Sequence, residues 1–239
     1  MRYSRQVIFE YIGKEKQEML RKSRITIVGC GGLGTRTAEL LARAGIGWIT
    51  IIDKDKVELS NLQRQSLFRE EDVGKHKSEA AKEELGKINS STKVNAVTET
   101  LDRRNAGLLD CDLVLDCTDN LETRFVINDY CAKNSIPWIY SAVIGSGGML
   151  MNVMPRREYC FRCVIKESEC TESCETRGIL NSAAAVVSSI QATEALKILT
   201  RQPCEKGLIS INLWPLRLTR ISVKKNPNCP TCNGKYEYA

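Results

Sequence analysis

A glycine-rich turn is the first motif in the sequence whose residue types and spacing suggest chemistry. Its members are Gly29, Gly31, Gly32 and Gly34. They follow the β-branched run Arg24–Val28 and precede a helix that the pattern predicts over Thr35–Ala44. Between a strand and a helix, such glycines let a phosphate or ribose approach the backbone amides at the helix N-terminus. The turn therefore predicts a nucleotide site.

An acid after the next strand supports this interpretation. Asp53 ends a predicted strand over Trp48–Asp53 and lies 19 residues after Gly34. A carboxylate at this position can accept hydrogen bonds from ribose hydroxyls. A purely structural turn is the less common use of this arrangement. The glycines and Asp53 alone do not distinguish NAD from ATP.

Two cations that follow Asp53 in the sequence favour a triphosphate. A redox protein of this type normally continues from its acid into a helix, whereas here a polar stretch offers Asn61 and Arg64 at the same sheet edge. Arg64 and Lys77 would place two positive charges near the turn, as a triphosphate needs and a hydride carrier does not. A solvated charged loop is the alternative interpretation.

Two widely separated CxxC pairs predict a metal site. They are Cys160 with Cys163, and Cys229 with Cys232. Four thiolates in two such pairs suit tetrahedral zinc, and with no open position the site would be structural. A redox-active CxxC is the alternative, but neither pair opens a helix after a strand as a thioredoxin-like site would.

The elements that must position these residues alternate between strand and helix. After the first two strands the pattern predicts helix Glu79–Ile88, strand Lys93–Thr98, strand Asp112–Asp116, helix Leu121–Lys133 and strand Pro137–Val143. Such alternation implies right-handed crossovers and a parallel sheet covered on both faces. The predicted fold class is α/β, with a Rossmann-like, doubly wound, mostly parallel sheet. One amphipathic helix is expected before it, over Ser4–Lys22.

Beyond the glycines at 145–148 the pattern changes. It predicts strand Met149–Met154, helix Ser182–Leu199, and strands Ile209–Asn212 and Arg217–Val223 as an antiparallel extension beside the zinc knuckle. No repeat or linker divides the chain. We therefore expect a single domain over residues 1–239, with a nucleotide-binding core at about 20–145 and a C-terminal part with the four-cysteine site at about 146–239.

Composition limits the possible functions. The 239 residues carry 35 Lys and Arg against 29 Asp and Glu, a net charge of +6, which is too weakly basic for a dedicated nucleic-acid binder. No apolar run is long enough to span a bilayer, and the N-terminus lacks a signal-peptide core. Eleven cysteines in such a chain favour metal or thiol chemistry in a reducing compartment. We expect a cytoplasmic protein with no membrane contact.

Taken together, the motifs resemble the ThiF/MoeB/HesA family, relatives of ubiquitin-activating enzymes that adenylylate the terminal glycine carboxylate of small ubiquitin-like sulfur carriers. Besides the glycine turn and the paired cysteines, the matching segments are 2–6 (RYSRQ), 60–65 (SNLQRQ), 74–77 (GKHK) and 116–120 (DCTDN). The resemblance covers nearly the whole chain, with the motifs in order and at consistent gaps.

The resemblance implies a role for each of these residues. Asp53 would hold the ribose of ATP, and Asn61, Arg64 and Lys77 would bind the phosphates. Asp119 would bind a magnesium ion that bridges phosphate oxygens, for which a carboxylate is a suitable hard ligand. Arg5 matches an arginine that such enzymes supply across a dimer interface. The resemblance thus implies a homodimer with shared active sites.

Cys174 has a further implied role. In the thiazole-pathway branch of the family, a cysteine just before a T-x-G step links to the carrier after adenylylation, and Cys174 occupies that place. The neighbouring acids Glu172 and Glu175 would raise the pKa of this thiol, whereas Arg177 would lower it. A catalytic thiol and an ordinary surface cysteine both remain open.

Three functions are carried forward. The first is activation of a ubiquitin-like sulfur carrier for thiamin, molybdopterin or thiolated-tRNA synthesis, by in-line attack of its carboxylate on the α-phosphorus with loss of pyrophosphate. The second keeps the adenylylation but takes a small-molecule carboxylate, such as a guanylylpyridinol precursor in methanogen iron-hydrogenase cofactor biosynthesis. The third is an NAD(P)-dependent oxidoreductase or a non-catalytic nucleotide-binding scaffold, against which Arg64 and Lys77 argue.

Overall fold

One eight-stranded sheet organises the chain. The structure is a computed structural model that describes residues 2–155, 159–165 and 178–239. In spatial order the strands are β3-β2-β1-β4-β5-β6-β7-β8. Their bounds are β1 Arg24–Val28, β2 Trp48–Ile52, β3 Lys93–Val97, β4 Leu113–Asp116, β5 Trp138–Ile144, β6 Gly147–Val153, β7 Leu208–Asn212 and β8 Arg217–Ile221.

The sheet has a parallel part and an antiparallel part. Strands β1 to β5 pair in parallel, and β6, β7 and β8 continue the sheet antiparallel from β5. The predicted fold class, a doubly wound, mostly parallel α/β sheet with an antiparallel extension, is therefore confirmed. The strand order reverses between β1 and β4, so the loops after these two strands border a crevice at their carboxyl ends. Ligands of open α/β sheets bind at this kind of position.

Six α-helices occur among the described residues. They are α1 Ser4–Ile8, α2 Gly13–Lys22, α3 Gly32–Ala44, α4 Lys77–Ile88, α5 Leu121–Asn134 and α6 Asn181–Leu199. Apolar residues of α3, α4 and α6 form one core with one face of the sheet, and those of α5 form a second core on the other face. None of these helices combines the length and the apolar character needed to cross a bilayer.

Close packing between α3 and α6 depends on small residues. A Cβ atom on Gly32 would lie 3.7 Å from the Ala184 Cβ, so the two helices approach at their first turns. Buried Ser188 of α6 also donates a hydrogen bond from Oγ to the Leu33 carbonyl, at 3.1 Å. As a result, α3 and α6 run side by side and begin at the same end of the sheet.

Two helix predictions differ from the observed bounds by three residues or more. The single N-terminal helix predicted over Ser4–Lys22 is two helices, α1 and α2, because Phe9 is extended (ψ 124°) and Gly13 has φ +64°. Helix α3 begins at Gly32 rather than at Thr35. The absence of a Cβ on Gly34 explains this start, since a Cβ there would collide with the Gly29 carbonyl oxygen. The last two glycines of the motif thus belong to the first turn of α3.

Candidate active site

The glycine turn joins β1 to α3 at the carboxyl end of the parallel strands. Gly29 has φ +91°, and a Cβ on it would lie 2.6 Å from the Cys117 carbonyl oxygen, so only glycine fits between β1 and the loop after β4. Gly31 precedes α3, whose first N–H groups have no partner within the helix. The turn therefore offers backbone donors at the crevice, as anion-binding helix N-termini do.

Asp53 is bonded to this turn. Its Oδ2 accepts a hydrogen bond from the Cys30 N–H at 2.6 Å, and its Oδ1 accepts one from the Asp55 N–H at 2.8 Å. Burial raises the pKa of Asp53, and these two bonds and the nearby charge of Lys77 oppose the rise. A carboxylate has about four acceptor positions, so Asp53 can still accept ribose hydroxyls while it braces the turn.

Arg64 lies across the glycine turn. Its Cγ and Cδ atoms would be 3.2 and 3.3 Å from a Cβ on Gly32. Its Nη1 donates to the Ser60 carbonyl at 3.2 Å, and the guanidinium forms no ion pair with any described residue. Asn61, in contrast, is bonded within its own loop, because its Oδ1 accepts the Glu58 N–H at 3.2 Å. The structure brings Arg64 to the turn and leaves Asn61 as a brace of the loop that carries Arg64.

Lys77 is the second cation beside the turn. It is the first residue of α4, it is 8% exposed, and its Nζ lies 3.2 Å from Asp55 Oδ2. A buried lysine requires an anionic partner, which Asp55 supplies from the loop after β2. Asp55 was missed at the sequence level, because an acid in a charged stretch looks like any solvated side chain.

A cavity of about 350 Å³ adjoins Arg64. It lies between the Arg64 loop and the start of α6, and it is lined by Gly32, Arg36, Arg64, Asn181 and Ser182, among others. A larger cavity of about 730 Å³ lies at the amino ends of β1, β2 and β3, where Arg24, Trp48 and Lys93 begin these strands. The smaller cavity is the functional candidate, because the glycine turn and the arginines border it.

Asp119 lies in the loop after β4, across the crevice from the turn. Its side chain is exposed, and it forms no hydrogen bond or ion pair with the described part of the chain. An exposed carboxylate is a ligand that a hard divalent cation prefers. The residue therefore has the chemistry of the magnesium ligand that the family resemblance implies, and this role stays a prediction.

Arg5 is far from the turn of its own chain. Helix α1 packs at the C-terminal end of α3, where Gln6 Nε2 donates to the Ala44 carbonyl at 2.9 Å. Helix α3 has 13 residues, which correspond to about 20 Å at the usual rise. Arg5 and Gly32 are thus separated by roughly the length of this helix, so the structure does not bring Arg5 to the other site residues. Cys174 lies outside the described residues.

The four paired cysteines form one cluster. Their Sγ atoms all lie within 4.8 Å of one another, and the Cys160–Cys229 and Cys163–Cys232 separations are both 3.5 Å. Zn–S bonds of about 2.3 Å in a tetrahedron would hold sulfurs about 3.8 Å apart. Burial raises the pKa of Cys160 and of Cys232, the latter to about 12, so a cation is needed to keep these thiols ionised. The cluster could hold a zinc ion.

Helix α5 anchors both halves of this knuckle. Asn128 Oδ1 accepts the Phe161 N–H at 3.0 Å, and Asp129 Oδ1 accepts the Thr231 hydroxyl at 2.5 Å. Asp129 Oδ2 also accepts the Tyr238 N–H at 3.1 Å. The C-terminal tail is consequently fixed to α5 as well as to the cysteine cluster.

Backbone donors beside clustered cations, at the point where strand order reverses, define a nucleotide-binding α/β protein. A family model described as the ThiF family matches residues 3–231. The chain is 39% identical to the sulfur carrier protein ThiS adenylyltransferase of Bacillus subtilis, over 98% of this chain and 72% of that protein. It is 34% identical to the molybdopterin-synthase adenylyltransferase of Escherichia coli, over 97% and 96%.

Solved structures agree with these relatives. The crystal structure of E. coli MccB with ATP superposes with a TM-score of 0.85 at 26% identity, and the match covers 97% of this chain and 74% of that one. The chain belongs to the ThiF family, and it is an adenylyltransferase.

Proposed function

We propose that the protein uses ATP to adenylylate the C-terminal glycine carboxylate of a ubiquitin-like sulfur-carrier protein, with release of pyrophosphate. The observation that carries this proposal is the position of Arg64 across Gly32, with Lys77 beside Asp53, at one edge of the sheet. Similarity to the ThiS adenylyltransferase of B. subtilis, and to the SAMP-activating enzyme E1 of Haloferax volcanii at 34% identity, supports a protein acceptor.

The chemistry joins two anions. The acceptor carboxylate attacks the α-phosphorus in line and expels pyrophosphate, so the protein must align the groups and cancel charge. The nucleophile is already ionised at neutral pH and needs no general base. Arg64 and Lys77 would bind the phosphates, Asp53 would orient the ribose, and Asn61 would hold the Arg64 loop. A magnesium ion held by Asp119 would supply further positive charge to the phosphate oxygens.

We also propose a homodimer in which Arg5 acts on the partner's triphosphate. Arg5 cannot reach its own glycine turn, because α3 separates them. It is exposed on α1, next to the exposed apolar residues Ile8 and Phe9. An arginine in an apolar exposed patch suits contact with a second copy of the chain. Each site would then be complete only in the dimer.

The cysteine cluster is proposed to hold structural zinc. All four sulfurs would be used as ligands, which leaves no position for a substrate. The nine cysteines of the described residues are all free thiols, which fits a reducing, cytoplasmic location. We propose a single domain in which this knuckle fastens the C-terminal tail to α5.

A second candidate acceptor is a small-molecule or peptide-like carboxylate. The observation in its favour is the likeness to the microcin C7 biosynthetic enzyme MccB, solved in complex with N-formylated MccA, with a TM-score of 0.86 at 25% identity. A guanylylpyridinol precursor is one acid of this kind. The third candidate is a pyridine-nucleotide oxidoreductase or a non-catalytic scaffold. Arg64 and Lys77 suit a triphosphate better than a hydride carrier, and the named relatives do not support this candidate.

Pyrophosphate exchange into ATP tests the proposal. Exchange should depend on a carrier that ends in Gly-Gly, and neither a small acid nor buffer alone should replace it. Arg64→Ala and Asp119→Ala should abolish exchange, whereas Arg104→Ala, which removes an exposed arginine paired with Asp102, should not. Exchange that depends on a small acid would favour the second candidate, and no exchange with any acceptor would contradict both.

A further inference from the structure

The loop that carries Asp119 is held by buried groups that the proposed function does not use. Asp119 itself has an exposed carboxylate without a hydrogen bond to the described residues. The backbone at Thr118 and Asn120 fixes the direction of its Cα–Cβ bond, and the Asp119 carboxylate also interacts electrostatically with the Arg124 guanidinium. Both neighbours are firmly bonded.

Thr118 is gripped at both of its backbone groups by one ion pair. Asp116 Oδ1 accepts the Thr118 N–H at 3.0 Å, and Arg124 Nη2 donates to the Thr118 carbonyl. Arg124 Nε closes the ring by donating to Asp116 Oδ2 at 3.0 Å. The peptide groups that flank Thr118 cannot rotate without breaking their hydrogen bonds to this pair.

The pair is in turn fixed by the sheet and by α6. Asp116 is 0% exposed, and the Arg124 guanidinium lies 5.0 Å from the Tyr140 ring centre. Ser141 Oγ donates to the Asp116 carbonyl at 2.6 Å, and Gln191 Nε2 donates to the same carbonyl at 3.0 Å. Three elements, β4, β5 and α6, therefore hold the ring in one arrangement.

Asn120 completes the support on the other side. Its N–H donates to Thr118 Oγ1 at 3.1 Å, and its Oδ1 accepts the Thr123 N–H at 2.9 Å as the N-cap of α5. Arg124 belongs to the first turn of the same helix. The start of α5 thus braces Asp119 through both adjoining residues.

A buried ion pair usually adds little to the stability of a fold. Desolvation of two charges cancels much of their attraction, and apolar replacements of similar size are often as stable. In this protein the pair instead fixes the geometry of the loop, because the planar guanidinium donates in fixed directions to Asp116 and to Thr118 at once. A lysine has one point charge and cannot make both contacts with this geometry.

We propose that Arg124, through Asp116 and Thr118, is a positioning residue that aims the Asp119 carboxylate at the divalent cation accompanying the nucleotide triphosphate. This inference rests on the proposed function, because it takes Asp119 as the metal ligand. Residues of this indirect kind typically change metal affinity about 10- to 100-fold when they are replaced.

Calorimetric binding of a non-hydrolysable ATP analogue, with magnesium and with a chelator, tests the inference without any turnover. Wild type should gain affinity from magnesium, and Asp119→Asn should lose that gain. Arg124→Lys should lose most of it, by about tenfold or more, while its affinity in chelator stays within about twofold of wild type. Asp116→Asn gives the same test at the other half of the ion pair if Arg124→Lys does not fold.

Asp129→Asn is the matched control, since Asp129 is another fully buried acid that contacts Arg162 and Thr231 on the knuckle side of α5. It should lower thermal stability and keep the full magnesium gain. A full gain in folded Arg124→Lys or Asp116→Asn would overturn the inference while leaving the role of Asp119 intact. A full gain in Asp119→Asn would overturn both, and analogue binding lost in wild type would overturn the proposed function itself.

Discussion

The side chain of Arg64 crosses Gly32 so closely that a Cβ atom at position 32 would lie 3.2 Å from its Cγ. Gly32 also begins α3, and so the same residue serves helix geometry and the placement of a cation. These two demands conflict, because helices prefer alanine to glycine. Substitutions at Gly32 can therefore change ATP binding without lowering the stability of the fold.

Gly32→Ala should retain or slightly raise the melting temperature and weaken ATP binding. Alanine gains up to about 1 kcal/mol of helix propensity. Displacing Arg64 from its rotamer costs roughly 1 kcal/mol, so we expect about a five- to tenfold loss of ATP affinity. Gly86→Ala, in α4 with no atom within 4 Å of the added Cβ, should stabilise the protein without affecting ATP. Equal ATP affinity in both variants would contradict the role of Arg64.

Arg5→Ala and Arg64→Ala should complement each other. Each variant alone should lack exchange activity. Co-expressed with different tags and purified as the mixed dimer, they should recover about half of the wild-type rate, because one of the two symmetric sites receives an intact Arg5 and an intact Arg64. A mixed dimer without activity would show that Arg5 acts within its own chain, whereas wild-type activity in Arg5→Ala alone would show that Arg5 does not act in the reaction.

Asp116 should give the folded protein a recognisable pH dependence. Burial raises the pKa of Asp116 from the ordinary 3.8 to about 6, with Arg124 opposing the rise. The folded state therefore binds the proton more tightly than the unfolded state, and the associated stability is present below about pH 4 and lost as pH rises through about 6. The shift corresponds to roughly 3 kcal/mol.

Urea unfolding of wild type and Asp116→Asn across this range measures the effect. The free energy of unfolding of wild type, relative to the variant, should fall between pH 4 and pH 7. Parallel stability curves for the two proteins would refute a raised pKa at this residue.

Removal of the metal should affect stability before chemistry. Cys229→Ser should reduce bound zinc and lower the melting temperature by roughly 10 °C, given that 1 kcal/mol corresponds to about 2–4 °C in a chain of this size. Cys204→Ser, a free cysteine outside the cluster, should change neither. Pyrophosphate exchange should remain when it is measured well below the melting temperatures of wild type and Cys229→Ser. Metal analysis that finds no zinc in wild type would reject the assignment.

Cys174→Ala should separate the two possible half-reactions. Adenylylation needs no thiol, so pyrophosphate exchange should match wild type, while any covalent carrier–enzyme conjugate seen on non-reducing gels should disappear. Cys111→Ala, a partly buried thiol, is the control for an unrelated cysteine. Loss of exchange in folded Cys174→Ala would make the predicted role wrong.

The buried parallel strands were predictable from the sequence because β1 and β2 are short β-branched runs and β4 is a short apolar run that ends on an acid. The predicted and observed bounds of β1 coincide at Arg24–Val28. The break between α1 and α2 was not predictable, because apolar residues on both sides continue a helical spacing. Contacts from distant residues decide it, such as the bond from Gln6 to the Ala44 carbonyl.

In the candidate site, too, some residues were predictable from the sequence and others were not. Arg64 and Lys77 could be assigned to the sheet edge because they follow the acid that ends β2. Arg124 could not, since an arginine in the first turn of a helix resembles an ordinary solvated charge. Only its burial against Tyr140, and its bonds to Asp116 and Thr118, distinguish it.

The unequal surroundings of the four motif glycines bear on how a mutational scan of this enzyme should be read. Gly29 and Gly34 are enclosed by the Cys117 and Gly29 carbonyl groups, whereas a Cβ on Gly31 would meet only the Gln65 amide at 3.9 Å. Loss of folded protein on substitution of Gly29 or Gly34 would indicate that the backbone cannot move apart to admit a side chain. This loss would occur even in cells that do not need the reaction. Loss of function on substitution of Gly31, where a methyl group has room in the protein, would instead indicate that the added group interferes with ligand binding.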